Sequence, residues 1–209
     1  MNLLIYLLAF SGGFIIMSFE LLGGRIMAPY FGSSIYVWGS IITVFMLSLA
    51  IGYLLGGRWS VHDPSLKKFS FLFIFSAVLL FPLVLLAEPA MEAVFNSIED
   101  PRYGSLLASG LLFVLPTIIL GMISPYSVRL LVYSVEFSGQ TAGRLYFCST
   151  LGSALGTLFT SFYLVLWMEI NTILTVMTAT LIGLGAIALL AHYRLASAQQ
   201  PNTSTKEAH

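Results

Sequence analysis

Six long apolar runs constrain this chain more than any other feature of its sequence. They cover about residues 3–27, 38–56, 69–87, 106–123, 145–167 and 171–191. A helix needs about 20 predominantly apolar residues to cross a hydrocarbon core about 30 Å thick, and each run is close to that length. The runs lack the alternation that a transmembrane β-barrel requires. The sequence therefore predicts an all-α, polytopic bundle of six transmembrane helices.

The composition agrees with a membrane protein. Of the 209 residues, 58% are hydrophobic and 9% are charged, and the mean hydropathy is +0.93. The formal net charge is zero, so no basic field suggests nucleic acid as a partner. We expect residues 1–195 to form one transmembrane domain in the lipid bilayer. The small, polar segment 196–209 is expected to be a disordered cytoplasmic tail.

The charged residues between the runs predict the orientation of the bundle. Arg58, Lys67 and Lys68 follow the second run, and Arg129 and Arg144 follow the fourth. The segment after the third run is mostly acidic. Lysine and arginine collect on the cytoplasmic side of membrane proteins. We therefore expect both termini and the two basic loops to lie in the cytoplasm.

The stretch 18–38, SFELLGGRIMAPYFGSSIYVW, contains two charges at the end of the first run. Glu20 and Arg25 flank the pair Gly23 and Gly24. An ionisable group at this depth is costly unless it is paired, hydrated or used. Five residues of ideal helix place the two charges off a common face, so a direct pair requires unwinding at the glycines. Two interpretations stay open: Glu20 and Arg25 bind a substrate, or Glu20 is locked to Arg25 or Arg102.

Prolines are expected to shape three of the helices. Pro29, followed by Gly32, is predicted to break the first helix. Pro82 and Pro116 lie inside the third and fourth runs. There they are expected to kink a helix without ending it, because neighbouring groups can satisfy the carbonyl that loses its partner.

Small residues form faces on two of the predicted helices. On the fifth run they recur at intervals of three and four and include Gly152 and Gly156, and Gly52 and Gly56 form a shorter face on the second run. Such faces let helices approach closely in lipid. The face on the fifth run fits packing within the chain, a contact between two chains of a homodimer, or a substrate path.

A short echo links the second and fifth runs. Residues 50–54, AIGYL, resemble residues 154–158, ALGTL. In the predicted topology these helices run in opposite directions, as two inverted three-helix repeats require. A match of five residues fits either such repeats or coincidence.

The sequence contains no recognisable catalytic or metal-binding motif. It has no phosphate-binding glycine loop, no G-x-S-x-G elbow and no H-E-x-x-H. Its three histidines are far apart, and none is near Cys148. We therefore expect no enzyme activity in this chain, no metal site and no cofactor.

Several motifs together resemble known families. Residues 52–58, GYLLGGR, end at Arg58 and resemble the signature between helices two and three of the major facilitator superfamily, although the expected acidic residue appears only at Asp63. A larger set is similar to the membrane domain fused to, or encoded beside, spermidine synthase-like enzymes; it comprises Glu20, Arg25, Pro29, Gly32, Trp38, 52–58, 121–125, 143–146, Gly152 and Gly156. The resemblance covers nearly the whole chain except the tail. It implies a six-helix, facilitator-like bundle in a bacterial inner membrane.

Two functions follow from these features. The first is a transporter-like module that binds or translocates a small molecule, a polyamine or another cation, as a half-transporter or oligomer. Glu20 and the facilitator-like loop favour it. The alternative is a membrane anchor or regulatory subunit of a separately encoded, soluble spermidine synthase-like aminopropyltransferase. The family resemblance favours that partner, because the aminopropyltransferase half is not part of this chain.

The orientation can be tested with single cysteines. In a Cys148→Ser background, we expect Asn96→Cys, but not Lys67→Cys, to react with a membrane-impermeant maleimide in intact cells, because the acidic loop should face outwards. Lys67→Cys should react only after the membrane is permeabilised. Reaction of Lys67→Cys in intact cells would overturn the predicted orientation.

Overall fold

The computed structural model describes residues 2–132 and 134–198, and its regular structure there is entirely helical. The helices are α1 (Asn2–Phe31), α2 (Ile35–Ser60), α3 (Leu66–Leu80), α4 (Leu83–Ser97), α5 (Pro101–Leu131), α6 (Ser138–Phe159), a π-helical turn (Thr160–Leu164), α7 (Val165–Trp167) and α8 (Ile170–Ala198). Five segments are long and apolar enough to cross a membrane: α1, α2, α5, the stretch from α6 to α7, and α8. The all-α prediction is thus confirmed for the described residues, and the architecture is that of an integral membrane protein.

The third apolar run differs from its prediction. Pro82 does not kink one helix; α3 ends at Leu80, α4 begins at Leu83, and the two axes differ by 47°. Proline lacks an amide hydrogen, and its ring collides with the preceding turn, so the helix ladder stops there. The bundle has a sixth span only if the bent pair α3–α4 crosses the membrane as one unit.

The other two prolines lie within continuous helices. Pro116 lies inside α5, which continues without interruption, as expected. Pro29 does not break α1; the helix continues to Phe31, and Gly32 turns the chain with a φ of +76°. The aromatic ring of Phe95 in α4 contacts the rings of both Tyr30 and Phe31. These contacts hold the last turn of α1 in place beyond the proline.

Helices α2 and α5 form a closely packed, parallel pair. The hydroxyl groups of Ser40 and Ser105 are 3.1 Å apart near the start of both helices. Further along, a Cβ atom on Gly52 would overlap the carbonyl oxygen of Ile118. A Cβ atom on Gly56 would lie 2.7 Å from the carbonyl oxygen of Met122. Only glycine therefore allows the two backbones to approach this closely.

Helices α1 and α6 form a second parallel pair. A Cβ atom on Gly152 would overlap the carbonyl oxygen of Phe10, and one on Gly156 would overlap that of Phe14. One turn further, the hydroxyl of Thr160 donates to that of Ser18 at 2.7 Å. The small-residue face of the fifth run therefore packs within the chain. The predicted homodimer stays untested, but these two glycines are not free to form it.

The two pairs are packed in the same register. Gly52 and Gly156 are 104 residues apart, and so are their partners Ile118 and Phe14. Gly56 and Thr160 have the same spacing, as do their partners Met122 and Ser18. The starts of α3 and α8, at 66 and 170, repeat that spacing. These contacts of one pair thus have counterparts in the other.

Three phenylalanine rings fill the space where α1, α2 and α5 meet. Phe19 lies 5.4 Å from both Phe45 and Phe113, and the latter two rings are 5.5 Å apart. All three side chains are fully buried. Edge-to-face rings at these distances interact favourably beyond the area that they bury.

The last helix extends past the predicted end of the domain. Residues 196–198 of the predicted tail are the last residues of α8. They continue the helix because nothing there breaks it: no proline occurs before Pro201. The rest of the predicted tail, 199–209, lies outside the described residues.

The close approach of α1 and α6 can be tested by adding a single methyl group. Gly152→Ala should lower the free energy of unfolding by about 1–3 kcal/mol, because the backbones must separate. Gly183→Ala is the control, since a Cβ atom there meets nothing within 4 Å. Unfolding in mixed micelles, followed by circular dichroism, measures both. Equal stability of the two variants would contradict the close packing of α6 against α1.

Candidate functional site

Glu20 lies half-buried on α1, and its surroundings differ from those that a direct ion pair requires. The helix is continuous through Gly23 and Gly24, so no unwinding brings Glu20 and Arg25 together. The two glycines instead make room for aromatic rings. A Cβ atom on Gly24 would lie 2.7 Å from the ring of Trp38. A Cβ atom on Gly23 would lie 3.2 Å from the ring of Phe113 in α5. The two glycines thus let α2 and α5 pack closely on α1.

Neither arginine proposed as a partner is paired with Glu20. Arg25 is exposed near the end of α1. Arg102 places its guanidinium 4.6 Å from the centre of the Tyr36 ring, which is the geometry of a cation–π contact. Within residues 2–132 and 134–198, no lysine or arginine nitrogen lies within 4.0 Å of a carboxylate oxygen. The ion pair that would lock Glu20 to Arg25 or Arg102 is therefore not formed.

A cavity of about 640 Å³ lies between the end of α1, the first half of α4 and the connection from α7 to α8. Its floor is apolar and includes the buried side chains of Ile26, Ala87 and Met91. The polar and aromatic side chains that line it are Arg25, Tyr30, Glu88, Trp167, Glu169 and Asn171. The cavity thus combines apolar, aromatic and charged groups, as binding sites for small molecules do.

Two breaks in helical structure bring the charged groups of this cavity together. The bend after Leu80 redirects α4, so that Glu88 lines the cavity with Arg25. The chain leaves helical structure between Trp167 and Ile170, which places Glu169 in the connection to α8. Because the cavity depends on these breaks, its charged residues are distant in sequence.

The electrostatics of the cavity favour a cation. Glu88 and Glu169 contribute two negative charges and Arg25 one positive charge, so the lining has a formal charge of −1. Both carboxylates are exposed, so a solute can reach them from the water. The rings of Tyr30 and Trp167 offer negative π-faces, which attract ammonium groups.

The structure distributes the predicted site residues over several places. Arg25 and Pro29 line the cavity, and Glu20 does not. Gly52, Gly56, Gly152 and Gly156 lie at the helix crossings. The remaining arginines are exposed: Arg58 at the end of α2, Arg129 near the end of α5 and Arg144 on α6. Glu88 and Glu169 were not among the predicted site residues. The sequence did contain a signal for Glu169, because this carboxylate lies between two apolar runs that are almost contiguous.

Other groups that could bind a metal are scattered. Within the described part of the chain, no three histidine, cysteine, aspartate or glutamate side chains are close enough to hold one ion. Cys148 lines a small cavity of about 400 Å³ with Arg144 and Tyr6. The cavity next to α4, with its charged and aromatic side chains, is therefore the candidate binding site.

Comparisons with known proteins do not add to this description. No family model, curated protein sequence or solved structure matches the chain. The resemblance to the spermidine synthase-like membrane domain and to the facilitator superfamily therefore stays a prediction. The site has to be interpreted from its own geometry.

Proposed function

We propose that this integral membrane protein binds a small organic cation in the cavity between α1, α4 and α8. The observation that carries the proposal is the joint presence of two carboxylates and two aromatic side chains around an apolar floor. A carboxylate binds an ammonium group through charge-assisted hydrogen bonds. An aromatic face attracts the same group through its quadrupole.

A polyamine matches this lining better than a metal ion does. Its ammonium groups are separated by methylene chains, which can contact the apolar floor formed by Ile26, Ala87 and Met91. Glu88 and Glu169 come from different elements, so they can bind different ammonium groups of one molecule. Arg25 offsets one of their charges, which weakens attraction to a compact divalent ion.

We further infer that the chain consists of two inverted three-helix repeats, and that it translocates its ligand. The common spacing of 104 residues in the contacts of α2 with α5 and of α1 with α6 supports the repeats. Transporters built from inverted repeats move one repeat against the other around a binding site. Action as a half-transporter or oligomer, and the alternative role as an anchor of a synthase-like enzyme, stay predictions.

The predicted orientation places the cavity on the outer side of the membrane. The cavity lies where α1 ends and α8 begins, at the end of the bundle opposite the N-terminus of α1 and the C-terminus of α8. With both termini in the cytoplasm, a solute would enter this cavity from outside. Glu20 lies five residues before Arg25, about 7.5 Å further into the bundle by helical rise. It is thus the next carboxylate that a cation would meet along α1.

Binding can be tested with spermidine and the full chain in lipid nanodiscs. Glu88→Gln and Glu169→Gln should each weaken binding by about tenfold, the loss of one charge-assisted interaction. Glu136→Gln is the control, because Glu136 is exposed in the connection between α5 and α6 and does not line the cavity. Isothermal titration calorimetry measures the affinities. Equal effects of Glu88→Gln and Glu136→Gln, or no saturable binding, would contradict the proposal.

The role of Glu20 requires a separate pair of measurements. Because Glu20 has no arginine partner, the effects of Glu20→Gln and Arg25→Gln on the free energy of unfolding should add within about 0.5 kcal/mol. Thermal unfolding of both single variants and the double variant tests this. Glu20→Gln should also keep spermidine binding but lose uptake into proteoliposomes. A strong destabilisation by Glu20→Gln that Arg25→Gln reverses would establish a locked pair instead.

A further inference from the structure

A second, apolar groove of about 680 Å³ lies on the side of the bundle between α2, α3 and α5. Its walls include Leu55 and Trp59 of α2, Phe71, Phe75 and Val78 of α3, and Met122 of α5. Most of these side chains are exposed, although they lie on apolar helices. Helices α2 and α5 are long enough to cross a membrane, and α3 is long enough together with α4. In a membrane, this groove therefore opens towards the lipid.

One end of the groove is basic. Arg58 and His62 line it where α2 ends and the chain turns towards α3. Lys67 and Lys68 follow in the first turn of α3, and Asp63 is the one carboxylate in this stretch. The charged residues of 58–68 thus sum to +2 with His62 neutral. Such an end attracts an anion.

Hydrogen bonds hold the turn at this basic end. Lys68 Nζ donates to the carbonyl oxygen of His62 at 2.7 Å. The backbone amide of Ser65 donates to the hydroxyl of Tyr126 at 3.1 Å. The ring of Tyr126 stacks on Phe69 and lies 5.7 Å from that of Trp59. The position of Arg58 and His62 at the groove is therefore set by contacts among α2, α3 and α5.

We propose that this groove is a binding site for an anionic phospholipid. An acyl chain fits the apolar walls, and the lipid phosphate pairs with the guanidinium of Arg58 beside His62. An arginine next to an apolar groove suits this ligand because guanidinium groups bind phosphate oxygens with two parallel hydrogen bonds. The basic residues lie at a helix end, where the headgroups of a bilayer begin.

The combination of a basic end and apolar walls favours an anionic phospholipid over other ligands. A free phosphate ion would use Arg58 but leave the apolar walls empty. A second copy of the chain would place the same basic residues near one another. An anionic phospholipid satisfies both ends of the groove at once. The site lies at the opposite end of the bundle from the cation cavity and does not depend on the function proposed for that cavity.

Native mass spectrometry of the full chain tests the proposal with equimolar phosphatidylglycerol and phosphatidylcholine. The wild-type protein should retain one phosphatidylglycerol in preference to phosphatidylcholine. Arg58→Gln should reduce that preference by roughly tenfold, because one charge-assisted contact is lost. Arg144→Gln is the matched control; it removes an exposed arginine that lines a different cavity. High salt should weaken the preference, since the charges are partly exposed.

A second variant tests the apolar end of the groove. Val78→Trp adds a large side chain at an exposed position that lines the groove, so it should exclude the acyl chain and reduce retention of both lipids. Circular dichroism should show that Arg58→Gln and Val78→Trp keep the helical content of the wild type. Equal retention of both lipids by the wild type, or unchanged selectivity in Arg58→Gln, would overturn the proposal. An equal loss of selectivity in Arg144→Gln would show diffuse attraction without a site.

Discussion

The bundle depends on backbone-to-backbone contact at four glycines. Gly52 and Gly56 let α2 lie against α5, and Gly152 and Gly156 let α6 lie against α1. Lipid tails are as apolar as leucine side chains, so burial alone provides little reason for these helices to associate. Close packing and hydrogen bonds, such as that between Thr160 and Ser18, provide it instead. The phenylalanine cluster among α1, α2 and α5 forms where these pairs bring the helices together.

The two ends of the bundle have different chemistry. Where α1 ends and α8 begins, carboxylates and aromatic rings surround the cation cavity. Where α2 ends and α3 begins, basic residues border a groove that is otherwise apolar. The bent connection between α3 and α4 links them, because α3 forms a wall of the groove and α4 forms a wall of the cavity. One interrupted helix thus shapes both candidate sites.

The regular spacing of the contacts also shows where the two halves of the chain differ. Arg25 and Arg129 are 104 residues apart, the spacing that relates the glycine contacts, and both are exposed near the ends of their helices. The residue at the same spacing from Glu20 is Ser124. If the halves are repeats, the carboxylate occurs in only one of them. The packing contacts that have counterparts in both halves therefore do not require this carboxylate.

The sequence by itself determined the all-helical class, most of the membrane-length segments and the glycine faces, because hydropathy and small-residue spacing are local properties of the chain. It also indicated that Pro116 could be accommodated within a helix. Only the tertiary structure decided that α1 continues past Pro29, that the third run divides at Pro82 and that the face containing Gly152 packs on α1. It also brought Arg25, Glu88 and Glu169 to one cavity. These outcomes depend on which helices meet, and that is set by long-range packing that no single run of residues contains.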